Sequence, residues 1–331
     1  MYDEPSYDSE IGNPLSTREC LRVIDNFLEM LEILSTEHGI KLLPRINFTG
    51  GDPMLRPDFF QLLDYAKERK IYVGILGNPN HITLSSARKL RQHGVKRYQI
   101  SIDGMEETHD SLRQKGSFND SLRALEVLKE AGIMENVMFS LSKQNADDLV
   151  PVMRLMAERQ VQRFDFARVA AYGNARELGN SFQPLEYREL LLKVYKEIER
   201  LKRRGAKTDY GFKDHLWNLL RFELGDYKPW GDSEGERIYD GCHAGQTFLV
   251  LLADGTIYAC RRFISPLGNV RNDDLYQTFR YSPLLSQLRN VSLYEKCRFC
   301  ELRQYCRGCP AVAAGANEGA FLSPDPQCWK V

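Results

Sequence analysis

Apolar positions along the chain switch between two spacings. Leu21, Ile24, Phe27, Leu28, Leu31 and Leu34 recur every three or four residues, which sets them on one face of a helix. Ser16 or Thr17 can cap its start, and Gly39 can end it. Residues 1–16 are polar and turn-rich and read as a loop. Beyond Gly39, short apolar runs alternate with amphipathic stretches. Arg45–Thr49, Ile71–Leu76, Arg97–Ile102, Val137–Leu141 and Arg163–Val169 predict strands. Pro57–Arg69, Leu84–His93, Asp120–Ala131 and Ala146–Arg159 predict helices, with Gly94 and Gly132 where C-terminal caps belong. This alternation predicts an α/β fold with a parallel sheet, either doubly wound or closed toward a barrel. In both, ligands bind at the C-terminal ends of the strands.

The second half follows another pattern. Residues 184–222 are helical and heavily charged, with Leu190, Leu191, Val194, Tyr195 and Ile198 on one face. Lys207–Asp240 reads as an irregular crossing between domains or a substrate surface, with Trp217 and Trp230 as packing residues. Phe248–Leu252 and Thr256–Tyr258 flank Ala253-Asp254-Gly255 and predict a hairpin with an Asp-Gly turn. That hairpin brings Cys242 and Cys260 to one end. The resulting division is a barrel part over 1–180, a helical connector over 181–235 and a cysteine-rich domain over 236–331.

Composition narrows the classes. Basic and acidic residues number 45 each, which argues against a general nucleic-acid or membrane-surface binder. No run of about 18 apolar residues occurs, so no membrane span is predicted. The acidic start Tyr2-Asp3-Glu4-Pro5 has no basic or apolar region of a signal peptide. A soluble cytoplasmic protein is expected.

Seven of the eight cysteines lie in the last ninety residues: Cys242, Cys260, Cys297, Cys300, Cys306, Cys309 and Cys328. Seven thiols cannot all pair, and clustered cysteines in a reducing compartment more often bind metal. They are too many for one four-ligand centre and point to two. Thiolates suit iron–sulfur clusters and zinc, and spacing does not separate the two. Buried structural cysteines are the bland alternative. Cys20 stands apart and reads as a packing residue.

The strand ends supply the other candidates. Gly50 and Gly51 leave backbone N–H groups open to a ligand, Asp52 adds a carboxylate for an amine, and Pro53 stops the strand. Ser101 and Asp103 share one face after the third strand, and His109, Asp110 and Arg113 follow. His109 alone reads as a helix-start or surface residue. Arg168 ends the fifth strand, placed to meet an anion, or to pair with Asp165 or another internal carboxylate.

Together these motifs resemble the radical S-adenosylmethionine (SAM) superfamily, in particular its SPASM-domain, peptide-modifying members, from about Thr17 to Cys328. Gly50-Gly51-Asp52-Pro53 resembles that family's Gly-Gly-Glu-Pro, which holds the SAM amino group. The Ser101–Gly104 segment resembles its fourth-strand end, with Ser101 near the SAM ribose or carboxylate. Arg168 with Gly173-Asn174-Ala175 resembles the sixth-strand end. The cysteine array is similar to SPASM, with two residues rather than three before Cys309. The resemblance implies a partial (β/α)6 TIM-like barrel missing its first strand, then a small SPASM domain. It implies two auxiliary 4Fe–4S clusters, one on Cys242, Cys260 and Cys309 with no obvious fourth ligand, the other on Cys297, Cys300, Cys306 and Cys328. It further implies a 5′-deoxyadenosyl radical used on a peptide or protein side chain, with flavodoxin or ferredoxin as electron donor. Sulfatase maturases carry an Asp after the cysteine matching Cys260, where this chain has Arg261. A degenerate, non-catalytic electron-transfer or peptide-binding partner is the alternative.

The family's Cys-x3-Cys-x2-Cys, which holds the SAM-cleaving third cluster, does not occur in the sequence. Tyr2-Asp3-Glu4-Pro5 resembles the residues that follow it, with Met1 in the place of the third cysteine. The expectation is a start placed too late, an exposed strand edge with poor solubility, and no SAM cleavage by the chain as it stands. Reading the gene in frame upstream of Met1 should then reveal a strand and the missing motif. A stop codon just upstream, with a ribosome site before Met1, is the contrary result.

Overall fold

The computed structural model describes residues 13–172, 175, 182–229 and 237–330. The calls on Tyr2–Pro5, Gly173, Asn174 and Trp230 lie outside the described residues. Helix α1 (Thr17–His38) opens with a capping box: the Ser16 side chain accepts from the Glu19 N–H, and the Glu19 carboxylate accepts from the Ser16 N–H at 2.8 Å. Two N–H groups that a helix start leaves unpaired are thereby satisfied. Gly39 ends the helix at φ +63°, a left-handed cap.

Six parallel strands follow: β1 (Arg45–Phe48), β2 (Tyr72–Leu76), β3 (Val95–Ser101), β4 (Met134–Leu141), β5 (Arg163–Arg168) and β6 (Asp209–Gly211). They lie side by side in chain order. A doubly wound sheet reverses its order at a switch point. This sheet never does, which is the order of a barrel wall. Strand β6 lies in the stretch read as irregular; three residues are too few to show a period. Between the strands run α2 (Phe59–Glu68), α3 (Leu84–Gln92), α4 (Glu106–Leu112), α5 (Ser117–Glu130), α6 (Leu149–Glu158) and α7 (Pro184–Arg203). After β6 comes α8 (Trp217–Glu223).

Alternation along each strand sorts the faces. Val73, Ile75, Tyr98, Ile100, Val137, Phe139, Phe164 and Phe166 are buried in one core with Leu63, Leu90, Leu125, Met153 and Leu191 from the helices. The other face carries Arg97, Gln99, Asn136, Met138 and Asp165, brought level by the register Gln99↔Asn136 and Met138↔Asp165. The main core also takes in Trp217, Leu302, Cys306 and Trp329, so the cysteine-rich segment packs directly on the barrel.

That segment holds an antiparallel sheet of β7 (Val250–Leu251), β8 (Thr256–Tyr258) and β9 (Pro266–Asn269), then α9 (Leu275–Tyr281), α10 (Pro283–Arg289) and α11 (Pro310–Ala316). The expected hairpin turn is present, with Asp254 Oδ1 accepting from the Thr256 N–H at 2.9 Å. Helix α1 buries two faces rather than one stripe. Ile24 joins the barrel core, while Met30 and Leu34 pack on Ile257 and Leu275. Among the described residues, no helix is long and apolar enough to cross a membrane.

Helices α6 and α7 are tied by Glu197, which accepts from Arg154 at 2.8 Å and from Arg200 at 2.9 Å. Arg154 first, then Arg200, hold its carboxyl at about 2, below the usual 4.5. A depressed carboxylate stabilises the fold fully above its unfolded value and loses that effect as pH falls through its folded one. The stability gap between the native chain and Glu197→Gln should therefore be full at pH 6 and shrink between pH 4.5 and 2, measured by urea midpoints. A gap independent of pH would refute this.

Candidate functional site

The loop after β1 forms one half of the site. Gly50 has φ +135°, a conformation that favours glycine, and a Cβ on Gly50 or Gly51 would meet nothing within 4 Å. Their backbone therefore borders open space. Asn78 Nδ2, from the end of β2, donates to the Gly51 carbonyl at 3.4 Å. Asp52 caps the short turn that begins at Pro53, its Oδ1 accepting from the Met54 N–H at 2.9 Å. Its Oδ2 is buried with no hydrogen-bond partner, and the His81 ring stands 3.7 Å away. A buried carboxylate oxygen without a donor costs about 1–3 kcal/mol or more. The site thus lacks a donor, and an ammonium group fits that need.

The segment after β3 divides differently from expectation. Ser101 is half-buried at the strand end. Asp103 is buried and already used: Oδ1 accepts from the Ser140 N–H at 2.7 Å, and Oδ2 accepts from Arg113 Nε at 2.8 Å. His109 is not a surface residue. It is buried, and its Nδ1 accepts from the Asp103 N–H at 3.0 Å. Asp103, His109 and Arg113 brace the loop from within.

A polar cluster on the strand face opposite the helices escaped sequence reasoning. Asp165 accepts from Arg163 at 2.9 Å, from Asn136 at 3.0 Å and from Lys213 at 3.0 Å. Lys213 also donates to Gln99 Oε1 at 3.3 Å. Lys213 follows β6, so its role was hidden with that strand.

Arg168 pairs with internal carboxylates, as one of its open alternatives had it, but not with Asp165. It shares parity with Phe164 and Phe166, which face the helices, so it points away from Asp165. Its guanidinium is fully buried between Asp214 (Nε to Oδ2, 2.7 Å) and Asp325 (Nη1 to Oδ1, 2.7 Å), beneath the Tyr187 ring. Gln327 accepts from it as well, at 2.6 Å. Burial opposes the charge, but Asp214 and Asp325 outweigh it and raise the pKa of Arg168 well above its usual value.

The cysteines fall into two sets. Cys297, Cys300, Cys306 and Cys328 line one cleft of ≈ 310 Å³, open mouth included, with Leu219 and Leu302. Burial raises Cys297 to about 12, and raises Cys306 and Cys328 too. The other set is Cys242, Cys260 and Cys309. Cys260 borders the apolar clusters that hold Cys242 and Cys309. Burial pushes Cys260 up to about 11. Cys309 goes the other way. Burial would raise it, yet Arg262, with Nη1 3.4 Å from its Sγ, and His215 bring it down to about 7. Burial would lower the pKa of His215, and the neighbouring thiols of Cys242 and Cys309 raise it to about 10. Neither His215 nor Arg262 had a sequence signal. Among the described residues, no three His, Cys, Asp or Glu groups converge on a point that would hold one metal ion, as zinc with donors at about 2.3 Å requires. Two separate thiol sets suit the chemistry of iron–sulfur clusters. Cys20 packs at the start of α1 near the Leu15 carbonyl.

The sequence model of the Radical SAM superfamily matches residues 15–156, and that of SPASM, an iron-sulfur cluster-binding domain, matches 242–310. Residues 15–156 are thus a radical SAM domain. Its C-terminal part is a SPASM domain, and the cofactors of these domains are 4Fe–4S clusters and SAM. The chain is 29% identical over 323 residues to mycofactocin maturase MftC of Mycobacterium ulcerans, covering 95% of this chain and 79% of that protein. It is 28% identical over 320 residues to the AdoMet-dependent heme synthase of Oleidesulfovibrio alaskensis, covering 95% and 79%. In fold it is similar to Streptococcus suis SuiB bound to S-adenosylmethionine, with TM-score 0.72 and 18% identity over 96% of this chain and 71% of that one. The radical SAM barrel and SPASM domain thus account for the six-stranded sheet and the cysteine-rich segment.

Arg168 joins the barrel to the residues around Cys309 and Cys328. Arg168→Ala should destabilise the protein by about 3–5 kcal/mol, because two carboxylates would remain buried without their cation. Urea unfolding of anaerobically prepared protein measures this. Adding Asp214→Asn and Asp325→Asn should recover part of the loss, and no recovery would contradict the assignment.

Proposed function

We propose that the chain carries the SAM-binding barrel and two auxiliary clusters of an enzyme that modifies a peptide side chain. The carrying observation is the match along 95% of the chain to a mycofactocin maturase. The radical chemistry is the cofactor's, and the protein supplies binding, orientation and electrostatics. Gly50 and Gly51 would present backbone N–H groups to SAM, and the orphaned oxygen of Asp52 would accept from its amino group. Ser101 would approach the ribose or carboxylate. Cys297, Cys300, Cys306 and Cys328 would hold one auxiliary cluster, and Cys242, Cys260 and Cys309 the other. A flavodoxin or ferredoxin would supply electrons. The SuiB fold is also known bound to a precursor peptide, SuiA, which supports a peptide as substrate.

A second reading has its own support. Heme synthases match the chain as widely as the maturase does, so the other substrate class is a tetrapyrrole.

Anaerobic reconstitution with iron and sulfide should yield about eight irons per chain, and about four after Cys297→Ser and Cys300→Ser together. Asp52→Asn should weaken SAM binding by tenfold or more, the scale of one hydrogen bond to a charged group at about 1.5–3 kcal/mol; equilibrium dialysis reads it. A precursor peptide encoded beside the gene should bind the reconstituted protein, measured by fluorescence anisotropy. Binding of an iron porphyrin, seen in its visible spectrum, without binding of the peptide would overturn the peptide reading in favour of the tetrapyrrole.

A further inference from the structure

The two cysteine sets differ in what meets their sulfurs. In the four-cysteine set, Cys300 Sγ accepts from the Leu302 backbone N–H at 3.4 Å, a neutral donor. In the three-cysteine set, Cys309 Sγ accepts from Arg262 Nη1 at 3.4 Å, a donor that carries a positive charge. Hydrogen bonds from an ionised donor are roughly twice as strong as neutral ones.

Arg262 is held in that position from both sides. It lies in the turn after Cys260, which Ser265 closes. The Ser265 hydroxyl accepts from the Cys260 N–H and donates to the Cys260 carbonyl, each at 3.1 Å. Phe263, the next residue, packs in one apolar cluster with Cys309, Ala311 and Val312. Arg262 Nη2 donates to the Arg168 carbonyl. Arg168 in turn holds Asp325 at 2.7 Å, and Asp325 Oδ2 accepts from the Cys309 N–H at 2.9 Å. Cys309 is therefore gripped at its N–H and at its sulfur by two side chains that both rest on Arg168. Arg261, one residue earlier, is exposed.

We infer that Arg262 raises the reduction potential of the auxiliary centre held by Cys242, Cys260 and Cys309. This rests on the two-cluster reading above and goes beyond it. Reduction brings in one electron from an external donor, and no bond need form or break. The guanidinium, its planar fork already aimed at Cys309 Sγ, stands beside the added negative charge. The apolar surroundings of Cys309 screen that attraction little. Arg262 thus favours the reduced form over the oxidised one, and hydrogen bonds to sulfur are among the factors that set such a potential.

The test reconstitutes the whole chain anaerobically with iron and sulfide and titrates it with dithionite, following the reduced centres by electron paramagnetic resonance. The transition that survives Cys297→Ser and Cys300→Ser together belongs to the three-cysteine centre. At the native midpoint, Arg262→Met should cut the reduced-to-oxidised ratio of that centre about tenfold, a fall of about 59 mV for one electron. The other centre should stay in place. Arg262→Lys keeps the charge without the fork and should lie between. Arg261→Met should move neither centre. A chain labelled with 15N in its arginine guanidinium groups should show a nitrogen coupling on the three-cysteine centre in pulsed resonance, which reads the contact with no substitution. An unchanged midpoint in Arg262→Met overturns the inference, as does an equal fall in Arg261→Met or a labelled chain without the coupling. Iron that stops at about four per chain with only the four-cysteine centre filled overturns the two-cluster reading, and the role of Arg262 with it.

Discussion

A buried guanidinium between two carboxylates holds this protein's halves in register. Arg168 leaves the end of β5, Asp214 follows β6, and Asp325 comes from the C-terminal segment. Each charge is out of water, so each is tolerable only with its partners in place. Asp325 Oδ2 also accepts from the Cys309 N–H at 2.9 Å, and its carbonyl accepts from the Cys328 N–H at 2.9 Å. One ion cluster therefore positions a barrel strand and a member of each cysteine set. Arg262 extends it, donating to the Arg168 carbonyl and standing against Cys309 Sγ.

Around that cluster the cysteines interleave. Cys306 and Cys309 are three residues apart yet belong to different sets. Gly308, at φ +62°, turns the chain between them, a conformation that costs other residues more. Arg307 is buried and donates to the carbonyls of Asp240 at 3.1 Å and Cys242 at 3.2 Å. The same four-residue stretch thus reaches the far side of the first set while its ends diverge.

Much of the barrel was legible in the chain. The five strands expected from apolar runs are β1 to β5, shifted at their ends by at most three residues, and Gly39, Gly94 and Gly132 all adopt positive φ. Long amphipathic segments announce themselves because burial acts on every turn of a helix and every second residue of a strand. Strand β6 did not, since three residues carry no period. The Gly50–Pro53 loop was legible as a turn, because two glycines followed by a proline end a strand. Asp103 and Arg168 were legible as polar residues at strand ends, but the way each one faced was not.

Local order and residue type therefore determined the sheet, the helices, the glycine loop and the presence of seven clustered thiols. Only the tertiary structure decided which groups meet. Arg168 faces the helix layer because of its parity on β5, and its partners lie 46 and 157 residues away. His215 meets Cys306 because Arg168 holds the adjacent Asp214. Periodicity reports what a residue's immediate neighbours bury. Contacts between distant segments depend on how whole elements pack, and no short window of sequence contains that information.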